Sequence, residues 1–311
     1  MDHTDFSRPR TPRQFARLFL TGFAMGSADI VPGVSGGTIA FISGIYDTLL
    51  NAIKSFDLHA IRLAIGLQFR RLLDHIPLSF LIAVGLGILT AIFALSNALH
   101  HYMETHPVYV FAFFGGLVIA SIISVGLKVK WNALTLLTMV GFAVFAFWLV
   151  GLQELQDADH SLPVLFFSGA IAIMAMILPG ISGSFILLIM GQYRHILGAV
   201  RALDIMTLLA VAAGCVVGII GFSRVLSWLL NRYEQVTVAA LVGFMIGSLR
   251  RVYMEAEVGA ATVQPMDGTS WIIAGVLLVF GFLLISFVDH LQSGTNPVFA
   301  LVWRPRKTMA A

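Results

Sequence analysis

Five stretches of this chain run without an Asp, Glu, Lys or Arg: residues 77–103, 105–127, 131–153, 205–223 and 268–288. A helix needs about 20 apolar residues to cross a hydrocarbon core of about 30 Å, so each stretch predicts a spanning helix. A shorter stretch, 235–249, extends past Arg250 and Arg251 to Tyr253 and Met254 and predicts a sixth. Two further apolar regions are interrupted. Residues 18–53 are broken by Asp29 and Pro32-Gly33, and the charge-free residues 160–193 by Pro179-Gly180. Proline removes a backbone donor and disfavours helix in the residue before it, and glycine lets the chain turn. Each region therefore predicts two short helices around a non-helical kink. A piece such as 163–178 rises about 24 Å, short of a full crossing, which predicts broken or re-entrant helix pairs. Residues 54–76 differ again: Lys54, Arg62, Arg70 and Arg71 interleave with Leu58, Ile61, Leu63, Ile65, Leu72 and Leu73. That is the pattern of an amphipathic helix lying on a membrane surface.

The chain also matches itself. At an offset of 147 residues, Gly22 meets Gly169, Pro32 meets Pro179, Gly33 meets Gly180, Ser35 meets Ser182, Gly36 meets Gly183 and Tyr46 meets Tyr193. Residues 22–53 and 169–200 share 13 identities in 32 ungapped positions, more than biased composition alone supplies. Further on the offset is 127: Gly87 meets Gly214, Ser96 meets Ser223, Gly116 meets Gly243, Ser121 meets Ser248. The difference of 20 residues is about the size of the surface helix, which marks 54–76 as an insertion in the first half. Each half holds one kinked pair and three spanning helices, hence an odd number of crossings. Two such halves in succession must be oppositely oriented. The expected fold is an all-α polytopic membrane protein built as an inverted repeat, an architecture common in transporters. Its parts are a basic cytoplasmic N-terminus (1–14), a first membrane repeat (15–153), a second (160–290) and a basic cytoplasmic tail (291–311).

Composition supports the membrane assignment. Of the 311 residues 58% are hydrophobic and 11% charged, too few polar side chains to cover an ordinary soluble enzyme. The net charge of +3 is gathered at the ends of apolar runs, which suits anionic lipid headgroups and not nucleic acid. Arg8, Arg10, Arg13 and Arg17 anchor the N-terminus in the cytoplasm. Lys128, Lys130, Arg232, Arg304, Arg306 and Lys307 then fall inside, and the acidic loop from Gln153 to Asp159 falls outside. Arg194, Arg201, Arg250 and Arg251 are the exceptions, basic residues at the outer face. The single cysteine, Cys215, excludes an intrachain disulfide.

The candidate chemistry sits in the paired kinks, Pro32-Gly33-Val34-Ser35-Gly36-Gly37-Thr38 and Pro179-Gly180-Ile181-Ser182-Gly183-Ser184. A helix that starts at such a kink leaves backbone N–H groups without intrahelical partners, and small residues let an anion approach them. Irregular backbone at membrane depth normally lines a cavity. The same residues also serve as plain N-caps and close-packing glycines. Asp29, just before the first kink, aligns with Met176. A membrane carboxylate costs about 2.5–3.5 kcal/mol, so Asp29 is a candidate proton- or cation-coupling group, or else a cap or partner for an arginine. Asp47 aligns with Arg194; Arg194 and Arg201 are candidate phosphate-attracting cations, or headgroup-snorkelling ones. His100, His101, His106 and His160 lack the spacing of a metal site, and no nucleotide-binding fingerprint is present; no metal or cofactor is expected.

The paired motifs, followed by Gly-Ile-Tyr at 44–46 and Gly-Gln-Tyr at 191–193, resemble the bacterial polyprenyl-phosphate transporters of the PopT type over roughly residues 15–290. The resemblance implies a multi-pass plasma-membrane protein that returns undecaprenyl phosphate from the outer to the inner leaflet for reuse in peptidoglycan and other envelope polymers. On that function, Ser35, Gly36, Gly37, Thr38, Ser182, Gly183 and Ser184 are expected to cradle the phosphate, with Arg194 and Arg201 attracting it. An intramembrane lipid-diphosphate phosphatase and a small-anion transporter are the alternatives. The first would need an activated nucleophile with an acid or base in reach, and neither Ser-Gly motif contains an arginine or histidine.

Overall fold

Residues 9, 11–31, 33–263, 266–293 and 296–300 are described by a computed structural model. Pro32 of the first kink and the terminal Arg8, Arg10, Arg304, Arg306 and Lys307 lie outside the described residues. No strand occurs among the described residues.

The chain opens with α1 (Pro12–Ile30), started by a capping box: the Thr11 hydroxyl accepts from the Gln14 amide and the Gln14 side chain accepts from the Thr11 amide. After the first kink come α2 (Gly36–Ile42) and α3 (Tyr46–Lys54). The expected surface helix is divided into α4 (Leu58–Ile65) and α5 (Phe69–His75), with Leu67 between them at φ 52°. Asp57 caps α4 through the Ala60 amide at 2.8 Å and meets His75 Nε2 at 3.2 Å. That amide first, and the imidazole after it, hold the Asp57 carboxyl below its ordinary range. Leu58, Ile61, Ile65, Leu67, Phe69 and Leu73 all remain exposed on this helical pair.

Three long helices follow: α6 (Leu78–Thr105), α7 (Pro107–Gly126) and α8 (Ala133–Val150). The second half repeats the plan with α9 (Leu162–Ile177), α10 (Gly183–Ile189) and α11 (Tyr193–Ala202). Next come α12 (Ile205–Thr262), α13 (Gly268–Ser293) and the short α14 (Pro297–Ala300). At 58 residues α12 would be about 87 Å long if straight, nearly three bilayer cores. It breaks at Tyr233, whose φ −133° and ψ 45° are not helical. The arm before the break packs on α9 and the arm after it on α8. The two arms are therefore separate crossings. With α6, α7, α8 and α13 they make six, and 234–262 is a much longer helix than the apolar stretch 235–249 suggested.

The repeat is visible in the packing. Gly22 lies against the Val84 backbone and Gly87 against that of Phe19; 147 and 127 residues later, Gly169 lies against Val211 and Gly214 against Phe166. A side chain at any of these positions would collide with main chain, so α1–α6 and α9–α12 are close, parallel pairs held by small residues. The remaining long helices are exchanged between halves. Gly116 of α7 meets the Leu278 backbone of α13, and Gly243 of α12 meets that of Met139 of α8.

Both kinked pairs re-enter. Residues on either side of the α9–α10 pair meet again at one face: the Leu155 amide donates to the Ile189 carbonyl at 3.0 Å, and His160 stacks on His195 at 4.1 Å. At the other face α1 starts level with the beginning of its parallel partner α6, and α3, just past α2, reaches Ser227 near the end of the first α12 arm through Lys54 Nζ at 2.9 Å. The face at which α1 begins is called the near face below, and the one at which α9 begins the far face.

Candidate functional site

The tips of the two re-entrant pairs meet inside the membrane. Each kink needs a glycine in the left-handed region, Gly33 at φ 84° and Gly180 at φ 93°, a conformation that a side chain would strain. At the first tip α1 ends with Val31 and α2 starts from Ser35 as N-cap. At the second α9 ends at Leu178 and α10 starts after Ser182. The tips touch through the last carbonyls of α9. Tyr46 donates its phenol proton to the Ile177 carbonyl at 3.0 Å, and Ser35 Oγ lies 3.4 Å from the Leu178 carbonyl. Those carbonyls have no intrahelical partner, so side chains of the first half satisfy the helix end of the second.

The two turns present their amides differently. In the first, the Gly36 amide donates to Asp29 Oδ1 at 2.7 Å, the Gly37 amide to Ser35 Oγ at 3.1 Å and the Thr38 amide to the Ser35 carbonyl at 3.0 Å. Asp29 reaches the turn because it sits on the last turn of α1, beneath Gly36, which has no side chain to keep it away. The first turn is thus already occupied by the chain's own carboxyl group. Ser35 and Thr38 are almost fully buried, and Thr38 Oγ1 has no partner among the described residues. In the second turn Gly183 lies over Met176, whose thioether is only a weak acceptor. Ser182 makes no side-chain cap; its hydroxyl lies 2.7 Å from that of Ser184. Among the described residues the amides of Gly183 and Ser184 have no acceptor, and Ser184 is exposed.

Arg251 stands where the tips meet, a residue that the motifs did not point to. Its stem packs on Gly33 of the first tip, and its guanidinium carbon lies 4.8 Å from the centre of the Phe185 ring, next to Ser184 in the second. Val252 beside it packs on Gly115 and Gly259 on Pro107, so Arg251 lies about 12 Å below the far end of α7. It pairs with Glu255 one turn on, and its Nε is buried without a partner among the described residues. Its neighbour Arg250 points elsewhere, donating to the Phe147 carbonyl at 2.7 Å and covering that ring at 4.3 Å. The signal for Arg251 in the sequence was its charge at the wrong face. Tyr46 carried only the repeat as a signal.

Arg194 and Arg201 are not drawn into this junction. Both lie on α11 at the far rim; Arg194 is 82% exposed with Glu154 at 3.7 Å, and Arg201 is exposed. Of the candidate residues, then, Asp29, Ser35, Gly36, Gly37 and Thr38 form one turn and Ser182, Gly183 and Ser184 the other. The two arginines flank them.

A family model described as undecaprenyl phosphate translocase-like matches residues 25–270. A polyprenyl-phosphate transporter of Vibrio cholerae is 44% identical over 240 residues, covering 77% of this chain and 78% of that one. A polyprenyl-phosphate transporter of Staphylococcus aureus is 32% identical over 288 residues, covering 85% and 93%. No solved structure matches.

Proposed function

We propose how this chain works from one premise: it belongs to the undecaprenyl phosphate translocase-like family. The family and both relatives are named for moving a lipid phosphate, so the chain is a transporter and not an enzyme. Its substrate on this reading is polyprenyl phosphate, carried from the outer to the inner leaflet of the bacterial plasma membrane and so returned to envelope synthesis. The near face, where α1 begins with Arg13 and Arg17, is then cytoplasmic, as the distribution of lysine and arginine favours.

A phosphate monoester carries about −1.5 to −2 charges at neutral pH, which hydrocarbon cannot solvate. The tail is at home among apolar groups; the head is the part that meets the barrier. The observation that carries the reading is the junction of two re-entrant tips with Arg251 between them. Arg251 supplies a fork of donors suited to phosphate, and the Gly183 and Ser184 amides add to it, with the one hydroxyl proton that the Ser182–Ser184 pair leaves over. Glu255 neutralises Arg251 until the head arrives. Arg194 and Arg201 raise the local concentration of the anionic head at the far rim. Ser35, Gly36, Gly37 and Thr38 form the counterpart turn for the opposite-facing state. There Asp29 must give up the Gly36 amide, and proton uptake by Asp29 removes its charge as the phosphate takes its place. Coupling to a proton follows from that exchange.

Proteoliposomes with undecaprenyl phosphate in one leaflet test this directly. Wild-type protein should equilibrate the lipid, and Arg251→Gln, correctly inserted, should slow it about tenfold to a hundredfold. Asp29→Asn should lose the response to an imposed pH gradient yet still exchange lipid downhill. Wild-type transport by Arg251→Gln would remove the junction from the mechanism.

A further inference from the structure

We infer that a groove along α1 seats the polyprenyl tail while the head crosses, a proposal that rests on the transport reading above. A cavity of about 1450 Å³ opens between α1, α7, α13 and the far half of α6. Along α1 it is lined from Thr11 to Ala28, about 26 Å of helix rise, close to the thickness of the hydrocarbon core. Its middle is apolar, with Leu20, Leu99, Phe113 and Leu284 among the walls. Its charged groups and ring donors stand at the ends, Arg13 and Arg17 at the near face and Tyr102 and His106 at the far face, with only the hydroxyls of Thr21, Ser27 and Ser43 between them.

Two features fit an isoprenoid monophosphate better than a protein helix. The near mouth carries two arginines, the complement of a phosphate leaving or entering there. The groove also reaches the helix that follows the first turn. Ile39 of α2 and Ser43, which caps that helix, line it, and Ile39 adjoins Thr38, whose buried hydroxyl has no partner among the described residues. A head at the tips and a tail along α1 would therefore belong to one continuous path. Leu20, 63% exposed on this wall, is left for the tail to cover.

The test uses two substrates with the same head, undecaprenyl phosphate and farnesyl phosphate, in proteoliposomes. Ala24→Trp places an indole in the groove without touching the turns. It should slow undecaprenyl phosphate about tenfold or more and farnesyl phosphate less than about twofold. Leu137→Trp, on an exposed wall of α8, should change neither. As a binding readout that does not depend on the variant, a tail-diazirine polyprenyl phosphate should label α1 and α13 of the wild-type protein around Leu20 and Leu284. Equal effects of Ala24→Trp on the two lipids would overturn the groove, as would labels confined to α8. So would a second copy of the chain cross-linked at Leu20 in place of the lipid. If wild-type protein moves neither lipid, the transport reading itself falls; if it moves both and Ala24→Trp leaves both unchanged, only the groove does.

Discussion

Arg251 shows how one residue can be both a structural liability and the reason for a site. A charge within the membrane costs about 2.5–3.5 kcal/mol, offset here by Glu255 and the face of Phe185. Burial leaves its Nε without a partner among the described residues, so the side chain still has a donor to give. Lysine would keep the charge and lose the planar fork. If the guanidinium binds phosphate in two places, Arg251→Lys should weaken head binding by about tenfold while leaving the fold intact. If the arginine serves only as Glu255's counter-ion, lysine should substitute for it fully. Initial flip rates at several lipid concentrations, with a thermal melt in detergent as control, separate the two. Asp29 makes the complementary point: the chain places a carboxyl group in the first turn where the second turn has Met176, so sequence identity between the halves hides a difference in chemistry.

At the scale of elements, the interrupted helices were legible because Pro-Gly pairs break apolar runs in a way no spanning helix needs. Their return to the starting face was not, because it is fixed by contacts far apart in sequence, such as Leu155 with Ile189 and Lys54 with Ser227. The reversal at Tyr233 carried no glycine or proline, and Arg250, Arg251, Glu255 and Glu257 end the apolar run well before the helix ends. The surface segment read as one helix because its apolar spacing continues across Leu67, where the backbone turns left-handed. The tight pairs make a prediction of their own. Gly87 and Gly214 face main chain, whereas Gly141 has open space around it. Gly87→Leu should destabilise the detergent-solubilised protein by about 1–3 kcal/mol, and Gly141→Leu by less than about 0.5 kcal/mol. Equal melting temperatures for the two variants would mean that α1 and α6 are not held as closely as the glycines require.

For the molecule as a whole, the pseudo-symmetry supplies a mechanism and the broken symmetry supplies its present state. On the transport reading proposed above, two halves with the same turns in opposite orientation would exchange roles, each turn being the image of what the other becomes. In this state the first turn is closed on Asp29 while the second exposes Ser184 and leaves the Gly183 amide without a described acceptor. The substitution that makes the second turn resemble the first is Met176→Asp, since Met176 stands over Gly183 as Asp29 stands over Gly36. An ionised carboxylate there would accept from the Gly183 amide and repel the phosphate. Met176→Asp should therefore abolish flipping at neutral pH, and Met176→Asn, close to it in size and uncharged, should retain a good part of it. Acidification should restore Met176→Asp toward the Asn level as the new carboxylate takes up a proton. Equal activity of the two variants across pH would show that the head does not use the second turn, and alternation between the two halves would then need another site.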